Sequence, residues 1–312
     1  MIPLLIGIPA VLAVLFQFIR NEKARGYIVY AGAGIVMLTT VIFIVRWITG
    51  GAQTWMFYPE TELIDHLMTA GDIFLMCLII YLSVKYGKVL PVILSVLQTA
   101  LVLYTEFTTE TVGGPHMMVD WLTILMCIII AFIGGFICIY TVGYMKGYHA
   151  HHKDVKDRQP FFFSMLFLFL AAMFGLVLSQ NLIWIYFFWE ITSVISFLMI
   201  GYTRTDEAVN NSFCALWMNL LGGLGFAVGI ALMAQLYGTL QLMDVVESGA
   251  LLPLMCLALA GLTKSAQLPF STWLLGAMVA PTPSSALLHS ATMVKAGVYL
   301  LIRISPALEG NL

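Results

Sequence analysis

The chain has 312 residues, of which 61% are hydrophobic and only 10% are charged, and its formal net charge at pH 7 is -2. A soluble domain normally carries about 25% charged residues, so this composition excludes a soluble enzyme and indicates an integral membrane protein. The small net charge and the lack of any block of like charges also argue against a nucleic-acid partner.

Ten apolar segments are candidates to cross a bilayer, which takes about 20 residues of helix. The amino terminus, MIPLLIGIPAVLAVLFQFIR, has no basic stretch before its apolar run and no small-residue cleavage pattern after it. We therefore expect a retained first membrane helix rather than a secretory signal. The predicted helices lie near 2–19, 26–48, 70–85, 89–105, 117–144, 160–180, 181–202, 211–236, 250–282 and 284–302. They predict an all-α membrane protein with about ten transmembrane helices.

The ninth apolar segment is too long for one straight span. It contains Pro269, Pro281 and Pro283, so we expect its helix to be broken at about 264–270, just after Lys264. A broken helix survives at membrane depth only where protein or water satisfies the freed backbone groups. The break therefore predicts a polar or wet site inside the bundle.

Basic residues alternate from loop to loop and predict an orientation. They follow the first, third, fifth and seventh helices, whereas acidic residues dominate the opposite loops, with Arg46 and Arg303 as basic exceptions. Because short cytoplasmic loops collect Lys and Arg, this pattern places the amino terminus outside the cell. The basic loop residues are Arg20, Lys23, Arg25, Lys85, Lys88, Lys146, Lys153, Lys156, Arg158 and Arg204, and the acidic ones are Glu60, Glu62, Asp65, Glu106, Glu110, Asp244 and Glu247.

No cofactor or metal site is predicted within the chain. The sequence has no glycine-rich nucleotide-binding motif and no C-x-x-C pair, and its polar stretches at 49–69 and 145–159 are too short for a folded redox domain. His149, His151 and His152 invite a metal interpretation, but the charged residues around them favour a solvated loop. Any redox cofactor is therefore expected on another chain.

Four ionisable residues are the candidates for a position at membrane depth: Glu190, Lys264, His289 and Lys295. A charge at the bilayer centre costs roughly 2.5–3.5 kcal/mol on insertion scales, and chains that keep one usually use it. A buried lysine near a carboxylate can gain or lose its proton as their separation changes, so Glu190 and Lys264 are a candidate proton-coupling pair. His289 and Lys295 are about 9 Å apart along a helix and could relay the proton through water.

The alternative for each of these four residues is a structural one. A buried polar group can simply form hydrogen bonds with its neighbours, and a long side chain can reach the membrane interface.

Three glycines also have a structural interpretation: Gly222, Gly225 and Gly229 in LLGGLGFAVG are three and four residues apart. That spacing lets another helix approach closely, so we expect tight helix packing there.

Three stretches resemble the antiporter-like, proton-translocating membrane proteins shared by respiratory complex I, multi-subunit Na+/H+ antiporters (their A-type subunits) and membrane-bound energy-converting hydrogenases. They are FFWEITSVISFLMIGY at 187–202, LTKSAQLPFSTWLLGAMVAPTPSSALLHSATMVKAGVYLL at 262–301, and VDWLTILM at the start of the fifth helix. The resemblance runs from about residue 117 to the carboxyl end. It implies that Glu190 pairs with Lys264, and that His289 and Lys295 relay the proton toward a second half-channel.

The resemblance also divides the chain into two parts. Residues 117–312 would form the first five-helix translocation repeat of the family, and residues 1–116 the four N-terminal helices. Two of these, 70–85 and 89–105, are atypical for the family and have no assigned purpose. The family usually has two inverted repeats and this chain stops after the first, so either it is part of a longer gene product or another chain completes the path.

The function implied by the resemblance is ion translocation within a larger complex of the prokaryotic plasma membrane. The chain would move protons, or exchange Na+ for protons, as a non-catalytic subunit of a redox-driven or antiporter complex, with an energy-converting hydrogenase or a complex I-like assembly favoured. Its partners would be other membrane subunits and a peripheral redox module linked to hydrogenase, ferredoxin or NADH. Two alternatives stay open: a structural membrane anchor that conducts nothing, and a stand-alone secondary transporter with its substrate site at the broken helix.

Overall fold

The computed structural model describes residues 1–59, 62–108, 114–153 and 155–309. Nearly all of the described chain is helical, which confirms the predicted all-α membrane class. The elements are α1 (Ile2–Phe16), α2 (Glu22–Thr49), β1 (Trp55–Phe57), α3 (Glu62–Lys85), α4 (Val89–Thr108), β2 (Met117–Val119), α5 (Trp121–Ile128), α6 (Gly135–His151), α7 (Gln159–Leu178), α8 (Leu182–Ile200), α9 (Asp206–Tyr237), α10 (Leu242–Ser248), α11 (Leu251–Lys264), α12 (Thr272–Gly276), α13 (Thr282–Ala286) and α14 (Met293–Glu309). A π-helical turn at Ile129–Gly134 joins α5 to α6, and another at Leu287–Ala291 follows α13.

Each of the ten predicted segments contains a helix. Among the described residues, eight helical stretches are long and apolar enough to cross a membrane, and α1 and α11 are shorter apolar helices. Helix α7 forms the centre of the bundle, because nearly all of its side chains are buried. The outer faces of α1 to α4 expose many large apolar side chains, as expected for helices that contact lipid.

The predicted fifth helix, 117–144, is wrong at both ends. Its first residues, Met117–Val119, form β2, which pairs antiparallel with β1. The extended Asp120 then ends the strand, and its carboxylate accepts a hydrogen bond from the amide of Thr123 to cap α5. At the other end the helix continues to His151, so two histidines predicted in a loop belong to the last turn of α6.

Two other helices also differ from their predicted bounds. Helix α3 begins at Glu62 rather than at residue 70, which places two more turns of chain inside the bundle. The predicted helix 284–302 is interrupted, because the π-helical turn at Leu287–Ala291 is followed by Thr292, whose backbone is not helical. Helix α14 starts only after this interruption.

The basic loops gather at one end of the bundle. There Lys88 donates a hydrogen bond to Asn210, and Arg158 donates to the backbone carbonyl of Tyr202. At the opposite end, the amide of Leu182 donates to the carbonyl of Leu240. This arrangement agrees with the alternation of loop charges, while the outside location of the amino terminus stays a prediction. Two of the acidic loop residues used to predict the orientation, Glu60 and Glu110, lie outside the described residues.

The glycines of α9 allow α11 to approach closely, as their spacing predicts. A Cβ atom on Gly222 would lie 1.9 Å from the hydroxyl oxygen of Thr263, and one on Gly225 would lie 3.1 Å from the carbonyl oxygen of Cys256. Helix α14 reaches the carboxyl end of α11 in the same way, since a Cβ on Gly297 would lie 2.5 Å from the carbonyl oxygen of Gly261. These contacts hold the broken helix between α9 and α14.

Candidate functional site

The predicted break lies directly after Lys264, where α11 ends. Ala266 adopts a left-handed backbone conformation with φ of 53°, which turns the chain out of the helix. The buried indole of Trp273 donates a hydrogen bond of 3.0 Å to the carbonyl oxygen of Thr263. A side chain from the far side of the break thus satisfies a backbone group near the helix end, as a break at membrane depth requires.

The side chain of Lys264 is completely buried against α8. Its Nζ donates hydrogen bonds to the carbonyl oxygen of Trp189 at 2.8 Å and to the hydroxyl of Ser193 at 2.7 Å. The same nitrogen lies 4.8 Å from the centre of the Trp189 ring, within the range of a cation–π contact. Oxygen atoms and an aromatic face therefore hold the amine.

Glu190 follows Trp189 on α8 and is only 2% exposed. Its Oε2 accepts a hydrogen bond of 2.9 Å from the amide of Gln98 on α4. Among the described residues, the carboxylate and the Lys264 amine form no ion pair within 4.0 Å. The structure therefore brings the Lys264 amine against α8 beside Glu190 but gives each of the two residues a different polar partner.

One side of this site has unused hydrogen-bonding capacity. Glu190 Oε1 and Gln98 Oε1 are both buried and accept no hydrogen bond from any described residue. Each oxygen lies 2.6 Å from the point that a Cβ on Gly223 would occupy. Any side chain at position 223 would collide with both oxygens, so glycine lets them lie this close to α9.

His289 and Lys295 lie near the broken helix without touching its lysine. The half-buried His289 belongs to the π-helical turn, and its buried Nε2 has no hydrogen-bond partner among the described residues. Lys295 is half-buried in the first turn of α14. Within the described part of the chain, no hydrogen bond joins either residue to Lys264, so the predicted relay would need water and stays a prediction.

Two buried polar residues beside Glu190 were not predicted from the sequence. Gln98 lies on a stripe of buried polar residues along α4 that also includes Ser95, Thr99 and Thr105, and this helical spacing could have revealed it. Asp72 is only 6% exposed on α3, and it was missed because the helix was predicted to begin at residue 70 rather than 62.

An ion pair at the end of the bundle opposite the basic loops was also not predicted. Arg303, expected as a basic loop residue, forms two hydrogen bonds with the carboxylate of Asp120, of 2.5 and 2.7 Å. The two residues are far apart in sequence, and Asp120 also caps α5. This pair ties α14 to the start of α5 and so fixes the helix that follows the break.

The arrangement can hold and transfer protons, because it combines a buried amine, a buried carboxylate and bridging hydroxyl and amide groups. In the described ranges, no three His, Cys, Asp or Glu side chains are grouped as metal ligands would be. The candidate chemistry of the buried amine and carboxylate is movement of a proton between side chains.

Comparisons with known proteins agree with this picture. Residues 179–311 match a family described as NADH:quinone oxidoreductase/Mrp antiporter, transmembrane, and residues 115–154 match one described as NADH-ubiquinone oxidoreductase (complex I), chain 5 N-terminus. A probable K+/H+ antiporter A/B-type subunit from Rhizobium meliloti is 38% identical over 64% of this chain. A Na+/H+ antiporter A-type subunit from Alkalihalophilus pseudofirmus is 34% identical over 76% of this chain.

A solved structure supports the same assignment. The Mrp complex from Dietzia sp. DQ12-45-1b contains a chain that matches 78% of this one with 26% identity and a TM-score of 0.55. The present chain spans 21% of the Rhizobium protein, 32% of the Alkalihalophilus protein and 28% of the Dietzia chain. It therefore belongs to the family of antiporter-like membrane proteins found in complex I and Mrp antiporters, and it corresponds to part of the length of these relatives.

Proposed function

We propose that this chain is an ion-translocating subunit of a larger membrane complex, and that residues 117–312 form its translocation repeat. Glu190 and Lys264 are the groups that hold and pass the proton. The observation that carries this proposal is the Lys264 amine, which is fully buried at a helix break and, among the described residues, donates hydrogen bonds only to a carbonyl and a hydroxyl oxygen. An isolated charge at such depth is costly, so a group that exchanges its proton explains the residue better than packing does.

The separation of the two groups would control the proton. At an effective dielectric constant of about 20, opposite charges attract with about 4 kcal/mol at ~4 Å and about 2.4 kcal/mol at ~7 Å. A side-chain movement of ~3 Å therefore changes the attraction between the two charges by about 1.6 kcal/mol. This corresponds to more than a tenfold change in the proton affinity of the lysine. Lys264 would hold its proton more tightly when it lies close to Glu190 than when the two groups are farther apart.

His289 and Lys295 would carry the proton away from the break. His289 has a buried Nε2 without a partner among the described residues, and a water molecule could connect it to the lysine. Their location on the segment that packs against the carboxyl end of α11 supports this role. Family members usually contain a second repeat, which we propose is supplied by the remainder of a longer protein or by another chain.

The partners are proposed to be other membrane subunits, because the similar proteins are named as antiporter subunits and the similar structure is of a complex. These relatives favour an antiporter complex as the parent, whereas the sequence alone favours a hydrogenase or complex I-like assembly. Purification of the native complex in mild detergent, followed by mass spectrometry of its components, separates these parents. Hydrogenase, ferredoxin- or NADH-oxidising proteins would establish a redox module, and small membrane proteins alone would establish an antiporter.

The central test is Lys264→Met in the native complex, measured as ion-driven proton movement in membrane vesicles with a pH-sensitive dye. We expect transport to be lost, because the methionine keeps the volume but cannot carry a proton. Lys85→Met, at an exposed position of α3, is the matched control and should transport normally. Full transport in Lys264→Met would overturn the proposal and favour a structural anchor. Uptake of a solute by the chain alone would instead favour a secondary transporter.

A further inference from the structure

The hairpin of α3 and α4 lies outside both ranges that match the family, yet it packs against the candidate site. A Cβ atom on Gly71 of α3 would lie 2.6 Å from the ring of Phe187 on α8, so the two helices are in close contact. Gln98, near the middle of α4, donates the hydrogen bond that Glu190 accepts. The hairpin therefore contributes side chains to the interior of the bundle.

Asp72 is the buried acid that this hairpin contributes. The charges that act on its carboxylate through space are those of Glu190 and Glu106, both of which repel a negative charge. Within the described residues, no cation lies within 4.0 Å of it. Neighbouring carboxylates in a dry interior repel each other and are stabilised when one of them carries a proton. Asp72 and Glu190 thus form a second place where a proton can reside.

An acidic pocket of about 180 Å³ lies at the end of the bundle opposite the basic loops, and its lining residues include Asp65, Met68, Thr105, Glu106 and His116. Met68 lies one helical turn before Asp72 on α3. A water molecule needs roughly 10–15 Å³ of such space, so the pocket can hold several. Asp65 lies seven residues, or about 10.5 Å, before Asp72 on α3, which places both on one face of the helix. The pocket and the buried acid are therefore aligned along α3.

Two buried oxygens complete the connection to Glu190. Glu190 Oε1 and Gln98 Oε1 are acceptors without a donor among the described residues, and both lie against Gly223 of α9. A water molecule there could donate one hydrogen bond to each oxygen, which would satisfy two groups that are otherwise costly to bury. Such a water would also give Glu190 a partner through which a proton can move.

We propose that the α3–α4 hairpin builds a proton access route to Glu190, in which Asp72 is an additional proton-carrying residue between the acidic pocket and a water molecule bound by Glu190 and Gln98. Asp72 takes a proton from pocket water and passes it through bound water to the Glu190 carboxylate, which leaves Asp72 ionised and ready for the next proton. This access route rests on the proposed function of Glu190 and Lys264. It gives the hairpin a role in transport rather than in packing.

The first test measures transport in vesicles containing the native complex with Asp72→Asn. We expect most of the transport to be lost, while the exposed Glu247→Gln, an acid-to-amide control, transports normally. Lys264→Met is measured in parallel, which separates the two proposals. Loss in Lys264→Met with full transport in Asp72→Asn overturns the access route and leaves the proposed function intact, whereas transport in Lys264→Met overturns the function itself.

A second variant tests the water bound by Glu190 and Gln98 without changing any acid. Gly223→Ala would place a methyl group 2.6 Å from both oxygens and displace them, so we expect it to slow transport. Gly143→Ala is the matched control, because a Cβ there meets nothing within 4 Å. Normal transport in an assembled Gly223→Ala complex would contradict the proposal that these oxygens hold a water on the route.

A third experiment measures the access of water-soluble reagents to the pocket rather than transport. It applies even if the Asp72→Asn complex fails to assemble. Thr105 is buried but lines the acidic pocket, whereas the equally buried Thr40 lies on α2 away from it. We expect a small membrane-impermeant thiol reagent to label Thr105→Cys and not Thr40→Cys when added from the side opposite the basic loops. Equal labelling of both variants, or of neither, would overturn the water-filled route.

Discussion

The contact between Gly222 and Thr263 gives a prediction whose size follows from the geometry. A Cβ on Gly222 would lie 1.9 Å from the Thr263 hydroxyl oxygen, roughly 1.5 Å closer than the 3.4 Å at which ordinary contact begins. Rotating the hydroxyl away would break its hydrogen bond of 2.8 Å to the carbonyl of Ala260 and still leave the Thr263 Cβ only 3.0 Å away. Gly222→Ala must therefore push α11 away from α9.

The free-energy cost combines three contributions. Overpacking of this kind typically costs about 1–3 kcal/mol, and loss of the hydroxyl hydrogen bond adds about 1 kcal/mol. Alanine offsets up to about 1 kcal/mol of this through its higher helix propensity. The net destabilisation should thus be about 1–3 kcal/mol. Because Lys264 follows Thr263, the displacement should also break the hydrogen bonds of the amine to α8 and reduce transport.

The assay compares thermal unfolding in detergent and transport in vesicles for Gly222→Ala and Gly34→Ala. The second glycine is the control, since a Cβ there meets nothing within 4 Å. We expect only Gly222→Ala to lower the unfolding midpoint and the transport rate. Unchanged transport together with unchanged stability in Gly222→Ala would refute the reasoning that this close approach positions the lysine.

Two further predictions concern the break and the ion pair. Trp273→Phe should reduce transport and cost about 0.5–1.5 kcal/mol, because the Thr263 carbonyl loses the indole donor and keeps the hydrogen bond of 3.2 Å from the Ala266 amide; thermal unfolding and vesicle transport check this. Asp120→Asn should cost about 1–3 kcal/mol, since it breaks the pair with the mostly buried Arg303 while Asp120 itself is one-quarter exposed. Burial alone would raise the pKa of Asp120, but hydrogen bonds from Arg303 and Thr123 and the charge of Arg303 hold it below its ordinary 3.8. The pair should therefore stabilise the protein above pH ~3.8 and be lost as the pH falls below it, and unfolding in acid should lose this pH dependence in Asp120→Asn.

The sequence was sufficient to locate the helices and the centre of the site. Lys264 stands out because a charge and a proline lie together in a long apolar run, and Glu190 stands out as a charge within another such run. Each signal is local, since the cost of a charge in lipid depends on the residues immediately around it. The close packing at the α9 glycines could also be predicted, because small residues on one face of a helix allow any neighbouring helix to approach closely.

The remaining parts of the site depend on contacts between distant segments. The hydrogen bond from Gln98 to Glu190 joins residues 92 positions apart, and the bonds from Arg303 to Asp120 join residues 183 positions apart. Helical periodicity shows which face of a segment is polar but not which other helix it meets. Asp72 was missed for a different reason, because the boundary of a helix is the least reliable part of a sequence-based prediction.

The most direct test of the central claim is a comparison of proton flux in Glu190→Gln, Lys264→Arg and the double variant, each in vesicles containing the native complex. If the two residues act in the same proton-transfer step, each single variant should slow the flux, and the double variant should be no slower than the slower single one. Normal flux in Glu190→Gln, or slowing in the double variant equal to the product of the two single effects, would contradict the account.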